Sequence, residues 1–188
     1  MTAAECQRVS AKQWGTQLVV TTPSEIEQLA THITWHPADR VWDPYAGTCA
    51  IEAALHPHQV YTHSSDINPA MTTSAPVDAL QPGNVRRMAS YNVVVTSPSF
   101  RVLDITLPLL TAERELTCAH VPLHYVFDAH PARRSWLWRL ATAKRMSILL
   151  CKQKGPLDRH NVWLIIADTA NTLQRRLKPQ AAACAMAF

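Results

Sequence analysis

The sequence predicts an α/β fold: a mostly parallel sheet with helices on both faces and an antiparallel strand at its C-terminal edge. Three observations carry this. Strand-like segments alternate with segments of helical periodicity through most of the 188 residues, the pattern of strands connected by helical crossovers. Tyr91-Asn-Val-Val-Val-Thr96 is a β-branched run of the kind buried inside a sheet. The last two strand-like segments are joined by the turn-rich stretch Lys154-Gly-Pro-Leu-Asp-Arg-His-Asn161, which suits a hairpin rather than a crossover.

In chain order, Ser24 and Glu27 have capping-box spacing and open an apolar pattern at Ile26, Leu29, Ala30 and Ile33, predicting a helix over about 24–35. Arg40–Asp43 reads as a strand, Pro44-Tyr-Ala-Gly47 as a turn, and Cys49–Leu55 as a helix stopped by His56-Pro57. Gln59–His63 is a second strand and Val77–Leu80 the end of a third, ahead of the buried strand at Tyr91–Thr96. A helix over Leu103–Glu115, with Pro108 as a local defect, precedes a strand over Ala119–Phe127. A helix at Ala132–Ala143 and strands at Met146–Cys151 and Val162–Ala167 complete the pattern. Residues 1–21 read as an N-terminal extension, 22–168 as one domain and 169–188 as a frayed, partly helical tail.

Composition supports a single globular core: 47% apolar and 17% charged residues, with no low-complexity stretch. No apolar run is long enough to cross a bilayer, and the first ten residues lack the basic-then-apolar pattern of a secretory signal. Five cysteines without CxxC spacing imply free thiols, and hence a reducing compartment, cytoplasm or nucleus. The nine histidines show no spacing that supports a metal site, so none is expected.

Charge is divided along the chain. Residues 1–85 carry −5 and residues 86–188 carry +9. A basic half suits a polyanion, with Arg86, Arg87, Arg133, Arg134, Arg139, Lys152 and Lys154 as candidate phosphate contacts; the competing reading is a solvated basic face.

In an open α/β sheet, ligands collect beyond the carboxyl ends of the strands. Four polar stations fall at such ends: Asp43-Pro44-Tyr45-Ala46-Gly47, Asp66, Asp78-Ala79, and Thr96-Ser97-Pro98-Ser99-Phe100. Gly47 lets backbone approach a ligand where a side chain would collide.

The set Asp43–Cys49, Ser65-Asp-Ile-Asn-Pro69, Val77–Leu80 and Thr96–Phe100 resembles, in order and spacing, the motifs of Rossmann-like class I S-adenosylmethionine-dependent methyltransferases. The Ser97-Pro98-Ser99-Phe100 loop is similar to the signature of DNA adenine and cytosine amino-methyltransferases, and Thr22-Pro23 to the segment that often precedes their cofactor fold. The resemblance covers about residues 20–168. It departs from the family at Ser99, where a second Pro is usual, and at Cys49, where a second Gly is common.

The resemblance implies S-adenosylmethionine as cofactor, with Thr22, Pro23, Asp43, Pro44, Gly47, Asp66, Asp78 and Ala79 around it. Asp66 would accept ribose hydroxyls and Asp78 the adenine amino group, while Asp43 orders the loop or receives the cofactor ammonium. Ser97 and the Pro98 carbonyl would orient an exocyclic base nitrogen, and Phe100 would stack on a flipped base. Nucleic acid, DNA ahead of RNA, is the implied partner. Few residues remain for a target-recognition domain, so short loops or a partner chain would supply specificity. The other function class left open is a non-catalytic nucleic-acid-binding or scaffold subunit on the same fold, and methylation of RNA or of a protein amide is the related enzymatic alternative.

Overall fold

The computed structural model of the chain describes residues 21–69, 71, 76–100, 102–112, 114–127, 130–151 and 161–179. Its elements run α1 (Pro23–His32), β1 (Arg40–Asp43), α2 (Ala50–Leu55), β2 (Tyr61–Ser64), α3 (Pro82–Arg87), β3 (Val93–Thr96), α4 (Leu103–Thr111), β4 (Leu116–Pro122), α5 (Leu123–Phe127), α6 (Pro131–Thr142), β5 (Met146–Leu150), β6 (Asn161–Ala167) and α7 (Ala170–Arg176). The strands form one sheet of order β2-β1-β3-β4-β6-β5. Pairing from β2 through β4 is parallel, and β6 runs antiparallel to both its neighbours. The expected antiparallel pair is therefore at the sheet's edge, with β6 slotted inside it and β5 outermost. None of the described helices is long and apolar enough to cross a membrane.

Alternation along each strand builds two cores. Val93 and Val95 face a layer containing Ile26, Leu29, Ile33, Leu55 and Trp163. Val94 faces Trp42, Ala79, Tyr91 and Leu110 on the other side, where Leu103, Leu107 and Leu140 extend the packing over β4 and β6.

Several expectations are corrected. The capping box that starts α1 is Thr22 with Glu25, not Ser24 with Glu27, because Pro23 sits at the first helical position, where its missing N–H costs nothing. Residues 77–80 form no strand: the Asp78 carboxylate accepts from Leu80 N at 2.9 Å, and Gln81 N donates to the Asp78 carbonyl. That local turn competes with a ladder, and β2 is left as the outer strand of the sheet. The strand expected over 119–127 ends at Pro122, which has no N–H to extend a ladder, and 123–127 turn into α5. The six-residue α3 is too short to leave a readable periodicity.

Residues 169–177 of the expected tail are tied down, and 180–188 lie outside the described residues. Thr169 Oγ1 accepts from Thr172 N at 3.1 Å to cap α7, and Leu173 and Arg176 are buried. Arg176 donates to both oxygens of Asp39 (2.7 and 2.8 Å), to Glu115 Oε1 (2.7 Å) and to the Thr34 carbonyl (3.2 Å). One guanidinium thus joins the approach to β1, the start of β4 and the last helix. Removing it strands two carboxylates, one of them fully buried, so Arg176→Met should lower unfolding free energy in urea by about 3–5 kcal/mol. A loss under about 1 kcal/mol would show that the network is not what fastens α7.

Candidate functional site

The parallel register sets the carboxyl ends of β1, β2 and β3 side by side. Asp43 ends β1 and is 1% exposed. Its Oδ1 accepts from Thr96 Oγ1, at the end of β3, at 2.9 Å and from Tyr45 N at 3.2 Å. Its Oδ2 is enclosed without a hydrogen-bond partner among the described residues. Burial pushes the Asp43 carboxyl up to about 7; the Thr96 and Tyr45 hydrogen bonds pull against this, and the charges of Asp66 and Glu52 add to the rise. A buried, unshared acceptor at the end of a central parallel strand carries a desolvation cost that a cationic or hydrogen-donating ligand would relieve.

The turn after β1 is zipped to the end of β2. Ser65 N donates to the Asp43 carbonyl at 2.8 Å, and Ala46 N to the Ser65 carbonyl at 3.0 Å. Ser65 is also held from behind, because Trp42 Nε1 donates to its hydroxyl at 2.8 Å. This geometry brings Gly47 N to Asp66 Oδ2 at 3.1 Å, while Asn68 N reaches Asp66 Oδ1 at 2.9 Å. Gly47 is left-handed, with φ 49°, and Cys49 also, with φ 57°. The position where Cys replaces a glycine is thus one where a Cβ is strained, by roughly 1–2 kcal/mol. Burial raises the Cys49 pKa, with the neighbouring carboxylates adding to it, so the residue is a thiol rather than a nucleophilic thiolate.

Asp78 joins the group through its loop: Val77 N donates to the Asp66 carbonyl at 3.1 Å. Ala79 is buried against Trp42 and Val94, so its side chain serves the core. Tyr45 hydrogen-bonds Thr106 of α4 at 3.0 Å, and burial chiefly, then the charges of Asp78 and Asp66, raises its pKa. Asp43, Asp66 and Asp78 therefore lie within one electrostatic neighbourhood. After β3, the Ser97 hydroxyl is buried without a hydrogen-bond partner among the described residues, Pro98 is buried, and Phe100 is 37% exposed. Two unpartnered oxygens, Asp43 Oδ2 and Ser97 Oγ, thus stand at the ends of neighbouring strands.

The remaining expected site residues lie on other parts of the fold or outside the described residues. Thr22 Oγ1 is spent on the α1 cap, donating to Glu25 Oε2 at 2.8 Å, and exposed Pro23 starts that helix. Pro44 is buried beneath the turn. Arg133 grips Asp104 with Nε and Nη2 at 2.7 and 3.0 Å and lies over the Tyr125 ring, so its charge is matched internally. Arg86, Arg87, Arg134 and Arg139 are exposed, and Lys152 and Lys154 lie outside the described residues. Trp138 is 70% exposed, while Trp136 packs on the core. Thr96, Ser65 and Tyr45 lie within the strand-end stations and motifs read from the sequence, but that reading assigned them no role of their own.

No family model and no curated protein matches the sequence. Solved structures do match the fold. The type I restriction enzyme EcoKI M protein aligns with a TM-score of 0.58 and 13% identity over 86% of this chain and 46% of its own. A type I restriction-modification methyltransferase subunit from Streptococcus thermophilus aligns at 0.55 and 10% identity over 81% and 45%. An O-methyltransferase from Bacillus cereus in complex with SAH aligns at 0.55 and 8% identity over 88% and 90%. The chain spans less than half the length of the two restriction-modification subunits. The fold is the Rossmann-like one of class I methyltransferases.

The Asp43 geometry predicts a pH signature. With a native pKa near 7 against 3.8 unfolded, the folded state retains a proton through that interval. Its contribution is complete below about pH 4 and is lost as pH rises through 7. Asp43→Asn should remove that decline, so unfolding curves measured from pH 4 to 8 should show wild type losing about 2–4 kcal/mol more than the variant. Parallel curves would mean that Asp43 is ionised and compensated by a group not identified at the strand ends.

Proposed function

We propose that the chain binds S-adenosylmethionine at the carboxyl ends of β1, β2 and β3 and transfers its methyl to an exocyclic amino group of a nucleic-acid base, adenine or cytosine, with DNA the preferred substrate over RNA. The observation that carries this is the enclosed, unpartnered Asp43 Oδ2 beside a left-handed Gly47 and the Asp66 and Asp78 carboxylates. These carboxylates and the glycine turn suit a ligand bearing an ammonium, a sulfonium and vicinal hydroxyls, so the residues present fit the cofactor. When bound, S-adenosylmethionine supplies an electrophilic methyl whose sulfur leaving group needs no acid.

The protein's task is therefore positioning and exclusion of water. Asp43 Oδ2 accepts from the ammonium, and Gly47 admits the amino-acid end past a backbone without a Cβ. Asp66 keeps acceptor capacity beyond its two backbone donors for the ribose hydroxyls, and Asp78 accepts from the adenine amino group. On the substrate side, the lone pair of a base amino nitrogen is delocalised into its ring. The Ser97 hydroxyl and Pro98 carbonyl accept the amino hydrogens and favour the pyramidal, nucleophilic form. Exposed Phe100 offers a stacking face. Arg86, Arg87, Arg134 and Arg139 contribute phosphate attraction, and a partner chain is the proposed source of target recognition. The restriction-modification methyltransferase subunits among the structural neighbours support methyl transfer through their fold.

Calorimetry with S-adenosylmethionine and S-adenosylhomocysteine should show one site, weakened about tenfold or more by Asp66→Ala and by Gly47→Val. In methyl-transfer assays on DNA and RNA with nucleoside analysis, Ser97→Ala should lower kcat about tenfold or more with cofactor Kd nearly unchanged, because its contact matters in the transition state. Folded protein that binds neither ligand would end the proposal. Binding without transfer to any nucleic acid would convert it to a non-catalytic subunit.

Affinity for a DNA duplex should also fall steeply between low and moderate salt, with a log–log slope of about −0.9 per phosphate engaged. Replacing Arg134 and Arg139 by Gln should flatten that slope, whereas an unchanged slope would exclude them from the interface.

A further inference from the structure

Three chemically distinct ligating groups meet on the α1 face of the sheet. Glu25 lies in the first turn of α1, His120 near the end of β4, and Cys151 directly after β5. They are 3%, 0% and 4% exposed, and their carboxylate oxygen, ring nitrogen and thiol sulfur all lie within 4.8 Å of one another. Donors around a tetrahedral zinc, with bonds of about 2.0–2.3 Å, stand roughly 3.3–3.8 Å apart. Glu25 Oε1 and His120 Nε2, at 3.2 Å, already have that spacing, and the thiol needs to close by about an ångström at most.

Glu25 Oε1 and His120 Nε2 form a buried ion pair at 3.2 Å without the directed geometry of a hydrogen bond, so both atoms can face a shared ion. For a thiol–imidazole–carboxylate relay, the second ring nitrogen should face Cys151, but Nδ1 is taken by Thr21 Oγ1 at 3.2 Å. That same contact is what a metal-binding histidine requires: a partner on the far nitrogen that fixes the ring and aims the other at the ion. Glu25 is prepared similarly, its Oε2 receiving Thr22 N and Thr22 Oγ1, each at 2.8 Å, while Oε1 faces the imidazole. Trp163 closes the site from behind, its ring 4.9 Å from that of His120 and its Nε1 donating to the Glu25 carbonyl at 2.9 Å.

We propose that Glu25, His120 and Cys151 bind one zinc ion that ties the N-terminus of α1 to the carboxyl ends of β4 and β5. A mixed oxygen, nitrogen and sulfur set of three protein ligands is a zinc donor set, with the fourth position left for water or a neighbouring group. Coordination forms the three metal–ligand bonds with no change of oxidation state, and the proton of the Cys151 thiol passes to solvent. His120 directly follows Ala119, whose register partner is Thr96, so the site braces the strand beside the Ser97 loop. The ligands are widely separated in sequence, which is why histidine spacing gave no sign of them.

The test uses the full chain stripped with a chelator and titrated with zinc against a chromogenic competitor. One zinc per chain should bind, and Cys151→Ser and His120→Asn should each weaken it about a hundredfold or more. X-ray absorption on zinc-loaded wild type, which needs no variant, should show a single sulfur among nitrogen and oxygen neighbours, and zinc should raise the Tm. Binding left unchanged by both substitutions, a shell without sulfur, or no binding tighter than micromolar would overturn the proposal.

Discussion

The hydrogen bond from Thr96 to Asp43 joins the ends of two neighbouring parallel strands inside the sheet, and the candidate site depends on it. It fixes which Asp43 oxygen is satisfied and leaves the other enclosed and unmatched. A group so desolvated is tolerated only where surrounding structure over-determines it. Here the restraints are the backbone exchange between Asp43, Ala46 and Ser65 and the Trp42 indole behind Ser65. Those same restraints deliver Gly47 to Asp66, so one buried carboxylate, the turn after it and the acidic group at the end of β2 form a single unit.

The features legible in the sequence were those with local causes. Val93–Thr96 and Val162–Ala167 declare themselves by β-branched and apolar runs, because a strand covered on both faces needs apolar residues at every position. The strand-end stations at Asp43, Asp66 and Ser97 were legible because turns and glycine follow strands there. Asp78 was read correctly as polar punctuation and wrongly as a strand end, since its carboxylate captures the Leu80 amide before a ladder can form. The capping residue of α1 was misread by two positions because two capping boxes overlap in sequence and Pro23 selects the first. What composition could not show was pairing at long range, including Arg176 with Asp39 and Glu25 with His120.

That long-range pairing also changes what the basic half means. Arg176 is consumed by carboxylates, Arg133 by Asp104, and Arg114 and Arg145 donate to the Val85 and Ala167 carbonyls. A share of the excess positive charge is therefore structural, and the exposed arginines of α3 and α6 are among the described cations left facing solvent.

The central claim is that the carboxyl ends of β1, β2 and β3 hold the cofactor, and amide hydrogen exchange with and without S-adenosylhomocysteine addresses it directly. The account predicts slower exchange confined to amides around 43–49, 65–68, 76–80 and 96–100, and loss of that pattern in Asp66→Ala. Protection centred elsewhere, or none at a saturating ligand concentration, would contradict it.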